Sequence, residues 1–199
     1  MNCLRQTTRL RNRYFVMRHG HSLANQQGII ISQPATGCRE YGLSDLGRRQ
    51  VVESLADNRE LDADTLIISS DFRRALESAQ IAHRTLACKM PLCTEERLRE
   101  RDFGELESSS DQSYAEVWRE DARDPDGEAR GVESANRVMR RTSALVIDLE
   151  SRYRDASLLL VSHGDALQLL QAAFCKQDAS QHRSLRHLET AEIRPLVLA

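Results

Sequence analysis

Short apolar segments alternate along this chain with longer stretches whose apolar residues recur at helical spacing. The clearest short segment is residues 157–161, Ser-Leu-Leu-Leu-Val, and similar segments lie at 14–17 and 65–68. Apolar runs of this length are typical of strands that are buried on both faces. Because strands that alternate with helices build parallel sheets, the sequence predicts an α/β fold: a three-layer sandwich with a mostly parallel central sheet and helices on both faces.

Five stretches carry helical patterns, and polar residues mark the start of two of them. Ser44 or Asp45 precedes the first and Asp71 precedes the second, and such short polar side chains are favoured N-caps. The longest pattern places Val138 and Leu145 on one side. The predicted helices cover 44–59, 72–86, 114–119, 132–153 and 166–174, with further extended segments at 91–94 and 193–198.

The length and composition predict one globular domain over residues 1–199, since 40% of the 199 residues are hydrophobic and 29% are charged. Residues 1–13 contain four arginines and no apolar run, which predicts a flexible basic leader rather than a secretory signal. The polar stretch at 105–131 is predicted to be an insertion that rims the functional site. No apolar run approaches the length of a transmembrane helix, so we expect no membrane partner.

The charge balance and the cysteines argue against several classes of protein. Lys and Arg total 28 against 30 Asp and Glu, a net charge of −2, whereas nucleic-acid-binding domains are usually basic, so no nucleic-acid partner is expected. Of the 28 basic residues, 26 are Arg, whose forked guanidinium suits phosphate or carboxylate, although composition alone accounts for most of them. Five cysteines without a C-x-x-C predict neither a disulfide framework nor a zinc site and favour the cytoplasm.

Polar residues follow each predicted strand, at the edge where a parallel sheet binds ligands. Residues 18–20 follow the first strand and 69–75 the second, while 98–101 and 162–165 follow the later ones. This topology brings two His, at least two Arg and one or more carboxylates to one end of the sheet. The set suits a phosphomonoester, which carries about two negative charges. Guanidinium groups bind its oxygens, a neutral imidazole attacks phosphorus and a carboxylic acid protonates the leaving oxygen.

Four of these stretches read as motifs in a fixed order along the chain. Residues 18–25 read R-H-G-H-S-L-A-N, 69–82 contain an Arg-Ala pair, 98–105 read L-R-E-R-D-F-G-E and 161–164 read V-S-H-G. In this order they resemble the R-H-G-x-S-x-x-N, second-arginine, L-x-E-x-x-x-G-E and second-histidine motifs of the histidine phosphatase superfamily, in its phosphoglycerate-mutase-like branch. The resemblance extends over residues 14–198.

The resemblance implies a phosphoglycerate mutase-like fold and a role for each matching residue. His19 would be the nucleophile that becomes a phosphohistidine, and Glu100 would be the proton donor and acceptor. Arg18, Arg74 and His163 would form the phosphate pocket. The substrate would be a small phosphorylated molecule, and no metal or other cofactor is implied. The further phosphate- or substrate-binding positions are Gly20, Asn25 and Gly164.

Several positions keep alternatives open. His21 stands where the family commonly has Glu or Gln, which leaves its role open. Arg74 is preferred to Arg73 as the second arginine because an alanine follows it. The reserve candidates for the proton donor are Asp165 and Glu105. The histidines expected to be packed or surface residues are His83, His182 and His187.

The sequence favours hydrolysis among the reactions that this chemistry allows. We expect a phosphatase, with phosphoglycerate mutase-type transfer as the alternative. The stretch from Glu100 to Glu133 is shorter than the insertion of phosphoglycerate mutases, and a more open site admits water. A protein phosphatase acting on phosphohistidine is disfavoured by the predicted acid, because a phosphoramidate leaves more easily. A catalytically inactive binding module is disfavoured by the complete set of motif residues. The sequence carries no indication of oligomeric state.

Overall fold

The computed structural model describes residues 2–199, in which five strands form one sheet. The strands are β1 (Arg13–Arg18), β2 (Leu66–Ser69), β3 (Cys93–Thr94), β4 (Ser157–Ser162) and β5 (Ile193–Leu196). They lie in the order β3-β2-β4-β1-β5. The first four are parallel, and β5 pairs antiparallel with β1 at one edge. The predicted α/β fold with a mostly parallel sheet is confirmed.

Helices cover both faces of this sheet. Five of the seven agree with the predicted segments to within a few residues, whereas the two short helices at Leu23–Gln27 and Pro34–Gly37 were not predicted. Side chains of β1 alternate between the two faces of the sheet, so each face carries an apolar surface that helices can cover. Tyr14 and Val16 pack into a core with the helices Ala135–Arg152 and Gly164–Phe174, whereas Phe15 and Met17 pack into a second core with the helices Asp45–Ala56 and Arg73–Thr85. The α-helices are α1 (Leu23–Gln27), α2 (Pro34–Gly37), α3 (Asp45–Ala56), α4 (Arg73–Thr85), α5 (Tyr114–Asp121), α6 (Ala135–Arg152) and α7 (Gly164–Phe174).

Of the two predicted helix caps, one is confirmed and one is wrong. Ser44 is the N-cap of α3, and its side chain accepts the hydrogen of Gly47 N. Asp71 does not cap α4, which begins after Phe72 without a side-chain cap. The Asp71 carboxylate instead accepts two hydrogen bonds from Arg99, at 2.8 and 2.6 Å. A bidentate charged pair is stronger than a single backbone cap, which explains the difference.

Residues 2–4 are docked on the domain, which corrects the expectation of a flexible leader over 1–13 for the part that the structure describes; Met1 lies outside the described residues. Leu4 is fully buried in the core that α6 and α7 share. Asn2 donates to Ala173 O at 2.9 Å, and Cys3 N donates to Ser143 Oγ at 3.0 Å. Burial of one leucine together with these two hydrogen bonds holds this segment in place.

The polar stretch at 105–131 folds around a small core of its own. Phe103, Val117 and Val132 pack there with Ile30, apart from the two cores of the sheet. A buried ion pair ties α5 to the rest of the domain, since Arg101 donates to both oxygens of Asp121 at 2.7 Å. This arrangement fixes α5 beside the carboxyl ends of the strands.

No helix within residues 2–199 combines the length and the apolar character that a membrane span requires. In the same part of the chain, all five cysteines are free thiols.

Candidate active site

The register of β1 and β4 brings two histidines together. These strands are parallel neighbours in which Arg18 pairs with Ser162. His19 and His163 each follow their strand by one residue, and His19 N donates to Ser162 O at 2.9 Å. The ring centroids lie 5.2 Å apart in an edge-to-face arrangement. The predicted convergence of the two histidines at this edge is thereby confirmed.

Hydrogen bonds fix the tautomer of His19. Its Nδ1 lies 2.8 Å from Gly20 O, an acceptor, so Nδ1 carries the hydrogen. Its Nε2 accepts from Arg74 Nε at 3.1 Å. The pKa of His19 is well below its ordinary value because the ring is buried and because Arg74 and Arg18 lie close to it. His19 is therefore a neutral imidazole with its lone pair on Nε2.

Gly20 orients His19 and has no hydrogen left for a ligand, which differs from its predicted role in binding phosphate. Its N–H donates to Ser78 Oγ at 3.1 Å, and its carbonyl accepts from the His19 ring. A Cβ at this position would lie 2.5 Å from Gly47 O in α3. Glycine is required here because the loop runs directly over the backbone of α3.

Arg74, and not its neighbour Arg73, reaches the site. Arg74 is 4% exposed and anchors its Nη2 to Ile31 O at 2.8 Å. Its Nη1 is buried without a hydrogen-bond partner within residues 2–199. Arg73 is exposed and pairs with Glu77 on the surface of α4. The choice based on the following alanine therefore identified the arginine that contacts His19.

Arg18 is held from one side and has a free hydrogen on the other. Its Nη1 donates to Leu188 O at 3.0 Å and to His187 Nε2 at 2.8 Å. Burial and the nearby guanidinium of Arg18 lower the pKa of His187 to about 4, so this ring is a neutral acceptor. The Nε of Arg18 is buried and has no partner among the described residues.

His163 also presents one unpartnered nitrogen. It is fully buried, and its Nε2 lies 2.9 Å from Ser70 Oγ. Ser70 Oγ accepts from Phe72 N, so the hydroxyl hydrogen is available to His163 Nε2. Burial lowers the pKa of His163 well below its ordinary value, and Arg74 adds to this. The ring is therefore neutral. In the tautomer in which Ser70 donates to Nε2, the Nδ1 of His163 carries a hydrogen that finds no acceptor in residues 2–199. Gly164 follows, where a Cβ would lie 3.7 Å from the Arg18 guanidinium carbon.

Glu100 combines burial with a neighbouring negative charge. Its Oε1 accepts from Arg101 N at 3.0 Å and from Ala166 N at 3.2 Å. Burial raises the pKa of Glu100, and the carboxylate of Asp165 raises it further. Asp165 is engaged by Trp118 Nε1 at 2.9 Å and by Arg101 Nη1 at 3.3 Å. These contacts occupy both carboxylate oxygens of Asp165, which leaves Glu100, with its raised pKa, as the better proton donor.

Arg18, His19, Arg74 and Glu100 open onto a cavity of about 340 Å³ at the carboxyl edge of the sheet. His163 and Gly164, which were also predicted to bind the phosphate, lie behind this wall and do not line the cavity. Asn25 is on its wall, and its Oδ1 accepts from Ser22, so its NH2 group remains for a ligand. The reserve acid Glu105 is exposed and lies outside the wall. His21 also lies outside it, bound to Ser44 and Gln50. The lining residues are Arg18, His19, Ser22, Ala24, Asn25, Ile29, Ile31, Arg74, Glu100, Asp111 and Tyr114.

A model of the histidine phosphatase superfamily (branch 1) matches residues 14–198 of the sequence. The chain belongs to this family. A curated relative, the probable phosphoglycerate mutase GpmB of Proteus mirabilis, is 33% identical over 183 residues, which cover 86% of this chain and 79% of the relative.

Solved structures place this histidine phosphatase among relatives with the same fold. The native structure of mycobacterial glucosyl-3-phosphoglycerate phosphatase superposes with a TM-score of 0.75 at 25% identity, covering 94% of this chain and 90% of the other. A protein described as mycobacterial hydrolase 1 gives a TM-score of 0.76 at 26% identity, covering 92% and 87%. The family contains phosphatases and mutases, and this chain is an enzyme of one of these types.

Sequence reasoning missed four residues of this histidine phosphatase site. Tyr114 and Asp111 lie in the insertion, where no motif marks them. Ser70 and His187 orient His163 and Arg18, and neither contact follows from a motif. One sequence feature could have pointed to Tyr114: it and Trp118 are aromatic residues four positions apart, which places them on the same face of α5. Their stacked rings have centroids 5.6 Å apart.

Proposed function

We propose that this protein is a metal-independent phosphatase that hydrolyses a small phosphomonoester through a phosphohistidine on His19. The observation that best supports this is a set of buried nitrogens around His19: Arg18 Nε, Arg74 Nη1 and His163 Nδ1. The two arginine nitrogens carry hydrogens, as does His163 Nδ1 in the tautomer that accepts from Ser70, and none of the three has a partner within residues 2–199. Because buried donors are nearly always satisfied, three orphans in one place favour an anionic ligand with several oxygens.

In the first step, the lone pair of His19 Nε2 attacks phosphorus while the bond from phosphorus to the substrate oxygen breaks. Glu100 gives its proton to the leaving oxygen, for which its raised pKa prepares it. Arg18 and Arg74 stabilise the negative charge on the remaining phosphoryl oxygens. The free alcohol leaves, and phosphohistidine and the Glu100 carboxylate remain.

In the second step, water attacks phosphorus from the side that the alcohol vacated. The Glu100 carboxylate takes a proton from this water, the bond from His19 Nε2 to phosphorus breaks, and inorganic phosphate leaves. A mutase would return the phosphoryl group to a hydroxyl of a bound product, and the name of the Proteus mirabilis relative favours that alternative. The short stretch between Glu100 and Glu133 favours access of water instead.

Release of phosphate from an aryl phosphate in the presence of EDTA tests this proposal. The parent protein is expected to turn over and to form an acid-labile phosphoenzyme, and His19→Ala is expected to do neither. His83→Ala is the matched control, because the His83 side chain is remote from the site and forms its hydrogen bond with Met90 O at the far end of α4. Turnover by His19→Ala at the parent rate would refute the proposal. Conversion of 3-phosphoglycerate to 2-phosphoglycerate without phosphate release would favour the mutase.

A further inference from the structure

The cavity is strongly polarised from one side to the other. Arg18 and Arg74 are the only cationic side chains on its wall within residues 2–199, and both lie with His19 on the phosphate side. Two guanidinium groups balance the charge of one phosphate dianion. No cation on the wall therefore remains for a second negative group of a substrate.

The remaining wall carries a negative charge at Asp111. Asp111 is exposed, and its carboxylate forms no ion pair within the described part of the chain. Its backbone N donates to Gly28 O at 2.9 Å. This hydrogen bond fixes Asp111 on the cavity rim, directly against the loop at Gly28. The carboxylate is thus placed at the cavity and is not neutralised by any neighbour.

Nearby arginines in the same region do not compensate this charge. Arg183 lies outside the cavity wall, with its guanidinium carbon 3.7 Å from the centre of the Trp118 ring, and it faces Asp165 at 3.9 Å. Arg130 pairs with Glu116 at 3.1 Å. Both guanidinium groups are thus engaged by other residues, and neither offsets the negative charge of Asp111 at the cavity.

The rest of the wall suits a short carbon skeleton with hydrogen-bond donors. Ile29 and Ile31 provide apolar contact, and Tyr114 adds an aromatic side chain to the wall. A cavity of about 340 Å³ is at the small end of ligand sites, which fits a phosphate with a few carbons attached. Asp111 is an acceptor-only group that would bind hydroxyl or ammonium hydrogens.

We propose that this site is specific for monophosphates of small hydroxyl-bearing alcohols that carry no second negative charge, and that Asp111 rejects substrates with a carboxylate. The inference rests on the proposed phosphatase function. It separates this chain from relatives whose names refer to phosphoglycerates, in which a carboxylate lies near the phosphate. Rejection by an uncompensated like charge is a common route to specificity.

Glycerol 3-phosphate and 3-phosphoglycerate form a matched pair of probes, because they differ only in a hydroxymethyl group against a carboxylate. We expect kcat/KM of the parent protein to favour glycerol 3-phosphate by about tenfold or more. Asp111→Asn is expected to narrow this ratio by about threefold, and Asp111→Lys to narrow it further or invert it. Glu105→Gln is the control, since it removes an exposed acid of the same insertion that lies outside the wall, and it should leave the ratio unchanged.

An aryl phosphate separates the two proposals. If the parent hydrolyses it through His19 but uses 3-phosphoglycerate as well as glycerol 3-phosphate, the specificity inference is wrong and the phosphatase proposal stands. If no substrate releases phosphate, the phosphatase proposal fails, and calorimetric binding of the two probes decides the charge preference. Equal or tighter binding of 3-phosphoglycerate would then overturn the inference, and weaker binding would support it.

Discussion

Arg74 donates its Nε hydrogen to Nε2 of His19 across 3.1 Å. One guanidinium therefore touches the nitrogen proposed to attack phosphorus and, through its unpartnered Nη1, faces the position proposed for the phosphate. Its positive charge also keeps the pKa of His19 low. Arg74 thus prepares the nucleophile in its neutral form before any substrate is bound.

Arg74→Lys is expected to lower kcat about 10²- to 10³-fold, the usual cost of losing a charge-stabilising donor. An ammonium keeps the positive charge but cannot contact His19, Ile31 O and a phosphate oxygen in the fixed geometry of a guanidinium. Steady-state kinetics on an aryl phosphate measures the loss. Arg73→Lys, one residue away on the surface, should retain parent activity, and comparable losses in the two variants would contradict the role of Arg74.

Glu100→Gln is expected to affect alkyl phosphates far more than aryl phosphates. An alkoxide needs a proton as it leaves, whereas an aryloxide leaves without one, and general acids contribute about 10²- to 10⁴-fold. The measurement is kcat/KM over a series of substrates with graded leaving-group pKa. Equal losses on both kinds of substrate would show that Glu100 is not the acid.

Asp165→Asn is expected to shift the alkaline limb of the pH–rate profile to lower pH. Arg101 is already paired bidentately with Asp121, so Asp165 adds a net negative charge beside Glu100. That charge raises the pKa of Glu100, and a raised pKa keeps the acid protonated to higher pH. Removing the charge of Asp165 lets Glu100 lose its proton at a lower pH.

The profile of the Asp165→Asn variant is measured on an alkyl phosphate, with an aryl phosphate as the control that needs no acid. The other ionisable groups that act on Glu100 are Arg74 from α4 and Tyr114 from α5, and both remain in the variant. A uniform loss of rate without a shift of the limb would mean that Asp165 acts only through packing.

Gly20→Ala and Gly164→Ala are expected to differ although both glycines follow a site histidine. A Cβ on Gly20 would lie 2.5 Å from backbone atoms of Gly47, which cannot move aside easily. Overpacking of this kind costs about 1–3 kcal/mol of unfolding free energy. A Cβ on Gly164 meets nothing closer than 3.5 Å, so that variant should stay within about 0.5 kcal/mol. Urea denaturation measures both, and equal stabilities would refute the argument.

The sequence predicted the parts of the site that follow directly from strand ends. Arg18 is the last residue of β1, and His19 and His163 are the first residues after β1 and β4. The parallel register of the two strands therefore brings these three residues together. The site residues Tyr114 and Asp111 could not be predicted in this way. They enter the cavity through the packing of α5 and its adjoining loop, which depends on side chains far away in the sequence.

Other sequence-based expectations failed where a tertiary contact outweighed a local preference. Asp71 precedes a helix, as a cap should, yet Arg99 from another segment binds its carboxylate. Residues 1–13 are basic, yet Leu4 is buried against α6 and α7. In both cases the decisive partner lies many residues away, and composition or capping patterns do not report on it.

The separate core of the 105–131 segment has a consequence for how this protein can change over time. The two histidines and two arginines proposed for chemistry lie on the sheet, its strand ends and its flanking helices, whereas the cavity rim at Asp111 and Tyr114 belongs to a unit packed around Phe103 and Val117. Substitutions in that unit can accumulate with little disturbance of the histidines. Selection could therefore exchange one substrate for another while the reaction itself is inherited unchanged.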